Sequence, residues 1–319
     1  MKSKSTLTFV SLVLVMSFLV ACAKTTPVSS PTMSSTEPPA ADTTTAPVET
    51  SAPTAEPTSA PEVTNTNALP PDPKIITITT EDNFTLTGYY YPAAVDPAPL
   101  VVLFHWKPGS AADWNEIAPW LQNRGLQNPF PNPGSDPWWD ASWFPAMPAD
   151  KSYGVLTITF RGCKPYDQGG CANMDAAGWM LDTQAVMVKA LELTGENAPR
   201  IVTIGASIGA DAAADGCQYL NQQRPGACKG ALSLSPGNYL SLSYVNTVQQ
   251  LGIADPSTPA WCIADPGEFA ICKSAEASGN SAYQDFSITD GNHGNMLLSP
   301  DLDPLPIQLI LDFLDQTLE

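Results

Sequence analysis

The sharpest chemical signal in the chain is Gly205-Ala206-Ser207-Ile208-Gly209, a serine bracketed by glycines. On its own a G-x-S-x-G pattern is weak, because a glycine-rich turn with a capping serine has the same spelling. Its setting raises it. The motif follows the apolar run Arg200-Ile201-Val202-Thr203-Ile204 and opens an alanine-rich helical stretch. A strand–turn–helix of this kind lifts a serine hydroxyl to the tip of a sheet, and small neighbours let strand and helix approach closely. The N–H of Ile208, the next residue, would then point at a developing oxyanion near a helix start. A serine nucleophile needs a base. Only two histidines exist, His105 and His293.

The elements around these residues read as alternating strands and helices from Lys74 onward. Ile75 to Thr80 and Phe84 to Tyr91 flank Glu81-Asp82-Asn83 as a hairpin. Apolar runs at Leu100–His105, Gly154–Phe160, Arg200–Gly205, Lys229–Ser235, Pro259–Ala264 and Tyr283–Ile288 predict strands. Helices are expected at Ala111–Arg124, Asp175–Leu193, Ser207–Gln223, Leu240–Leu251 and Leu305–Leu318. Solid apolar strands separated by helices imply an α/β fold with a mostly parallel sheet covered on both faces, and the hairpin adds antiparallel strands. Residues 126–150 interrupt the pattern with a tryptophan- and proline-rich insertion containing Trp138, Trp139 and Trp143. Such aromatics either cover a sheet edge or line a substrate site.

With the elbow, the hairpin, Phe160-Arg161-Gly162, Ser233-Leu234-Ser235-Pro236-Gly237 and Asn292-His293-Gly294 in this order, residues 75–318 resemble a secreted α/β-hydrolase of the dienelactone-hydrolase-like type. That resemblance implies the order nucleophile, acid, histidine, so His293 is the base of Ser207. The acid then lies on the loop after the Pro259–Ala264 strand, where both Asp265 and Glu268 qualify. Related hydrolases place it several residues past the strand's proline, which favours Glu268, whereas a shorter loop favours Asp265. The second oxyanion donor is implied in the turn Phe104-His105-Trp106-Lys107, with the backbone N–H of Trp106 beside that of Ile208. Trp106 stands where glycine is common, which puts an indole next to the site. His105 reads as an orienting turn residue. Dienelactone hydrolases proper use a cysteine nucleophile, and serine in its place points to general ester hydrolysis through an acyl-enzyme without metal or cofactor.

The chain ends place this domain. Lys2 and Lys4 precede an apolar run from about Leu7 to Val20, too short to span a bilayer comfortably. Leu19-Val20-Ala21-Cys22 resembles the lipobox of bacterial lipoproteins, which implies a signal peptide over 1–21 and a lipid on Cys22. Residues 22–73 form a Thr/Ser/Pro/Ala-rich tether with almost no large apolar side chain, able to reach on the order of 100 Å. Residues 74–319 form the hydrolase domain. The remaining cysteines form three close pairs, Cys163 with Cys171, Cys217 with Cys228 and Cys262 with Cys272. Local closure prefers these bridges without excluding other pairings, and disulfides fit an extracytoplasmic site.

A net charge of −18, from 14 basic and 32 acidic residues, disfavours nucleic acid and anionic membrane surfaces as partners. The expected partners are a small or polymeric ester and, through the lipid alone, a membrane; the domain is expected to be a monomer. Two rivals stand beside the esterase reading. The same triad supports a peptidase or amidase, and the fold also serves non-catalytic surface binding proteins.

Overall fold

The computed structural model describes residues 69–107, 109–126, 128–130, 143–164, 171–195, 199–240 and 242–318. The chain divides after Pro61, and all described residues belong to the C-terminal unit. The signal-peptide, Cys22 and most of the tether expectations lie outside the described residues, as do Trp138 and Trp139.

Among the described residues eight strands form one sheet: β1 (Lys74–Thr79), β2 (Thr85–Tyr91), β3 (Leu100–Phe104), β4 (Gly154–Ile158), β5 (Ile201–Ala206), β6 (Cys228–Leu234), β7 (Ala260–Ala264) and β8 (Tyr283–Ser287). Their spatial order is β1-β2-β4-β3-β5-β6-β7-β8. The hairpin partners β1 and β2 are antiparallel, and β2 meets β4 antiparallel. From β4 across to β8 every pairing is parallel. Among the described residues the α-helices are α1 (Ile117–Leu121), α2 (Ala176–Thr194), α3 (Ile208–Gln223), α4 (Tyr244–Ile253), α5 (Ala270–Glu276) and α6 (Pro306–Leu318).

The strand sequences explain the layering. Every residue of β3, β4, β5 and β7 is buried, as a sheet sandwiched between helices requires. Successive side chains along β3 enter opposite layers. Leu100, Val102 and Phe104 join Trp179, Val186, Met187, Leu220 and Val248 on the α2–α5 side. Val101 and Leu103 join Trp114, Ile117, Leu121, Ile310 and Phe313 on the α1 and α6 side.

The structure departs from the sequence expectations at three helices. Residues 111–124 do not form one helix: a 3-10 turn over Ala111–Trp114 precedes α1. Ser110 and Asp113 close a reciprocal capping box around that turn. Pro119 has no N–H to offer a carbonyl four residues back, and a helix starting at Ile117 puts it in the first turn, where none is needed. Helix α4 begins at Tyr244, not Leu240, because side chains of Asp211 and Asn238 take the N–H groups of Tyr239, Leu240 and Tyr244. Helix α5, seven residues long, was not expected at all; its Cys272 is buried.

All three expected disulfides form: Cys163–Cys171, Cys217–Cys228 between α3 and β6, and Cys262–Cys272 between β7 and α5. Short closed loops of this size contribute about 2–3 kcal/mol each in the chain-entropy picture. They are compatible with an extracytoplasmic protein. Among the described residues no helix is long and apolar enough to cross a membrane. The described ends of the insertion pack inward, Phe130 edge-on to Tyr89 and Tyr91, and Phe144 edge-on to Trp120. Trp143 packs against the α1-side core with them. These described aromatics, Phe130, Trp143 and Phe144, cover the fold.

Candidate active site

The parallel strands all point their C-terminal ends at one rim, where loops from different strands converge. Ser207 follows β5 at that rim. Its backbone has φ 54° and ψ −121°, a conformation that a residue with a Cβ adopts only under strain of about 1–3 kcal/mol. Two backbone bonds fix it. The Ser207 N–H donates to the Leu234 carbonyl at 2.8 Å, and its carbonyl accepts from Ala210 N–H at 2.8 Å.

The flanking glycines are needed for closeness. A Cβ on Gly205 would sit 1.9 Å from the Gly209 carbonyl oxygen, and one on Gly209 would sit 2.4 Å from that of Phe104. Strand β5, helix α3 and the end of β3 thus touch backbone to backbone. Ile208 is the first residue of α3, so its N–H has no acceptor within the helix and faces the helix's positive end.

His293 lies on the loop after β8. Its Nε2 is 2.7 Å from Ser207 Oγ, and its Nδ1 is 2.8 and 2.9 Å from the two oxygens of Glu268. A carboxylate accepts only, so the proton sits on Nδ1 and the Nε2 lone pair faces the serine hydroxyl. That is the tautomer a base requires. Ser207 is 6% exposed, while the His293 and Glu268 side chains are 36% and 39% exposed, so the relay is open to solvent from one side. Asp265 does not join it. Its Oδ1 accepts the Gly267 N–H at 2.8 Å and its carbonyl accepts the Glu268 N–H at 2.8 Å, so it shapes the turn that presents Glu268.

His105 is fully buried beneath the first turn. Its Nε2 accepts the Phe160 N–H at 3.0 Å, which leaves Nδ1 to donate to the Trp106 carbonyl at 2.7 Å. Burial drives its pKa down to about 4, so it stays neutral and holds the Trp106 backbone in place. The Trp106 indole lies 6.2 Å from the His293 ring, centroid to centroid, and against Gly294, where a Cβ would be 2.7 Å from it. Asp113 accepts the Trp106 indole N–H and the Ser110 N–H, and burial raises its carboxyl to about 7.

Three supports were not read from the sequence. Asp113 anchors Trp106. The buried Ser235 hydroxyl accepts the Gly294 N–H at 3.0 Å and so fixes the chain beside His293. Asp211, buried in α3, accepts the N–H groups of Gly237, Tyr239 and Leu240 and so ties down the loop after β6. The one available signal was position, since residues just past the C-terminal ends of parallel strands gather at the ligand side.

No family model and no curated protein matches this chain. Solved structures do resemble it. An esterase of Pyrococcus furiosus, Pf2001, aligns with a TM-score of 0.54 at 16% identity over 78% of this chain and 92% of that one. EstE1, a thermostable carboxylesterase cloned from a metagenomic library, gives 0.50 at 14% over 78% and 90%. Dipeptidyl peptidase 4 of Porphyromonas gingivalis gives 0.50 at 15% over 78% of this chain and 36% of the peptidase. At such identities the likeness concerns architecture: the chain has the α/β-hydrolase fold.

The strained serine yields a direct test. Ser207→Gly releases the positive-φ strain and is expected to stabilise the domain by about 1 kcal/mol, after the greater entropy of an unfolded glycine is subtracted. Ser207→Ala keeps the strain and should gain far less. Urea midpoints of the two variants beside wild type decide this; an unchanged or lowered midpoint for Ser207→Gly contradicts it.

Proposed function

We propose that this chain is a serine hydrolase that cleaves carboxylic esters through an acyl-enzyme. The observation that carries the reading is His293 held between Glu268 and Ser207 by bonds of 2.7–2.9 Å in the tautomer that can take the serine proton. Ser207 Oγ attacks the ester carbonyl as its proton passes to His293 Nε2. The carbonyl electron pair moves onto oxygen, where the Ile208 and Trp106 N–H groups receive it. The C–O bond to the alcohol then breaks and His293 returns the proton to the departing oxygen. Water repeats the sequence on the acyl-serine. Glu268 fixes the imidazole and stabilises its charged form.

Backbone strain at Ser207 favours catalysis over the binding-protein reading, since inert surfaces rarely maintain it. The dienelactone-hydrolase-like type is part of the proposal, on the motifs that carry the resemblance. Trp106, beside His293, is the aromatic placed to line a substrate's acyl or alcohol part, and the domain acts as a monomer. The fold serves esterases and a peptidase alike in the structures it resembles, so amide cleavage is a measurable rival.

Hydrolysis of short-chain esters and matched amides by wild type, Glu268→Gln and Asp265→Asn tests the assignment. Glu268→Gln is expected to lower kcat by about 10²–10⁴-fold on esters. Asp265→Asn should stay within about threefold, as a turn substitution away from the reacting atoms. Equal losses in the two variants, or amides cut as fast as esters, would contradict it.

The proposal also takes Cys22 as the lipid-bearing residue and residues 1–21 as a signal peptide, with the domain held outside the membrane on its tether. Metabolic labelling of a bacterial host with a radioactive fatty acid should mark the full chain and leave Cys22→Ser unmarked. Equal labelling of both, or of neither, removes the anchor from the account.

A further inference from the structure

The relay of Ser207, His293 and Glu268 does not by itself explain the backbone of Ser235. This residue follows β6 with φ 52°, a left-handed conformation that residues other than glycine seldom adopt. It is 1% exposed, so it is no surface turn. Strain of this kind persists only where surrounding bonds over-determine it, and it gathers at functional sites.

The segment is fixed from several sides. The Ser235 N–H donates to the Ile263 carbonyl of β7 at 2.8 Å. Just beyond it, buried Asp211 of α3 accepts the N–H groups of Gly237 at 2.9 Å and Tyr239 at 2.6 Å. So held, the Ser235 hydroxyl accepts the Gly294 N–H at 3.0 Å. Gly294 is buried, and its N–H needs an acceptor away from water. It is also left-handed, at φ 59°, and a Cβ on it would lie 2.7 Å from a carbon of the Trp106 ring. Gly294 directly follows His293. The chain leaving the base is therefore held by a hydroxyl from the end of β6 and an indole from the turn after β3.

That hold matters most partway through the reaction. Before it, the imidazole has two polar anchors: Ser207 Oγ 2.7 Å from Nε2, and the Glu268 oxygens 2.8 and 2.9 Å from Nδ1. Once an acyl group occupies Oγ, that oxygen has no proton to donate and the first anchor is lost. The His293 side chain is 36% exposed and that of Glu268 39%, so packing does not replace the lost bond. What remains is Glu268 at one edge of the ring and the backbone that carries the ring.

We propose that Ser235 is a positioning residue for deacylation, its hydroxyl holding the His293 backbone so that Nε2 stays aimed at the acyl-serine and its attacking water. This rests on the acyl-transfer reading above. The water oxygen bonds to the acyl carbon as its proton passes to Nε2, and the carbonyl electron pair moves onto oxygen. The carbonyl then re-forms, the bond from carbon to Oγ breaks, and His293 returns the proton to Oγ. Acylation starts from an imidazole that Ser207 already fixes, so it depends less on Ser235.

The test uses 4-nitrophenyl acetate and the full disulfide-bonded chain, as wild type, Ser235→Ala and Ser235→Gly. Acylation is read from kcat/KM, and deacylation from decay of the acetyl-enzyme in intact mass spectra of acid-quenched samples. Both variants are expected to slow deacylation by about 10–100-fold, the cost of a slightly misplaced base, while kcat/KM stays within about threefold. Acetyl-enzyme then accumulates, and kcat and KM fall together. Glycine relieves the left-handed strain that alanine keeps, so Ser235→Gly gives a folded variant without the hydroxyl even where Ser235→Ala is unstable. A loss seen in Ser235→Ala and absent in Ser235→Gly traces to strain and overturns the proposal. An equal fall in acylation and deacylation, or no change in either, overturns it as well. Folded wild type that hydrolyses no ester and forms no acetyl-enzyme overturns the acyl-transfer reading itself, an outcome distinct from an active wild type with unaltered Ser235 variants.

Discussion

The structure turns on one tight contact: helix α3 starts so close to β5 and β3 that no Cβ fits at Gly205 or Gly209. That closeness forces Ser207 into a positive-φ turn and lifts its hydroxyl onto the rim of the sheet. The same turn leaves the Ile208 N–H at the helix start without an internal acceptor. Nucleophile placement and oxyanion donor are thus two results of one backbone constraint. The buried parallel strands on either side make the constraint sustainable, because packing over both faces offsets local strain.

Around that elbow, side chains tie loop backbones into position. His105 holds the Trp106 carbonyl, Asp211 holds three N–H groups of the loop after β6, and Ser235 holds the N–H of Gly294. Asp265 turns the chain so that Glu268 faces His293. These bonds lie in a rim of loops where backbone ladders do not reach, so each polar group must be met locally. Asp211 and Asp215 are buried and Asp113 half-buried there or nearby, and loss of water raises their carboxyls to between about 6 and 7. The rim therefore combines open access at His293 with rigid support beneath it.

Much of this was legible in the sequence because the signals were local. G-x-S-x-G between a strand and an alanine-rich helix marks the elbow, and only two histidines were available to pair with it. The close cysteine pairs bond as local closure prefers. What the sequence hid depends on contacts between distant segments. The capping box at Ser110 and Asp113 split an expected helix, and the Asp211 strap moved the start of α4. Glu268 and Asp265 differ by three residues on one loop, and only the three-dimensional course of that loop separates the residue facing His293 from the one holding the turn. Asp211 carried no motif; only the course of the chain brings the loop after β6 against it.

The central claim is that Ser207 is a nucleophile activated by His293. Reaction of the folded, disulfide-bonded chain with a fluorophosphonate, followed by intact mass and peptide mapping, measures this directly. The account predicts one adduct per chain, on Ser207, absent in Ser207→Ala and strongly slowed in His293→Ala. No adduct on the folded wild type, or labelling that persists in Ser207→Ala, would contradict it.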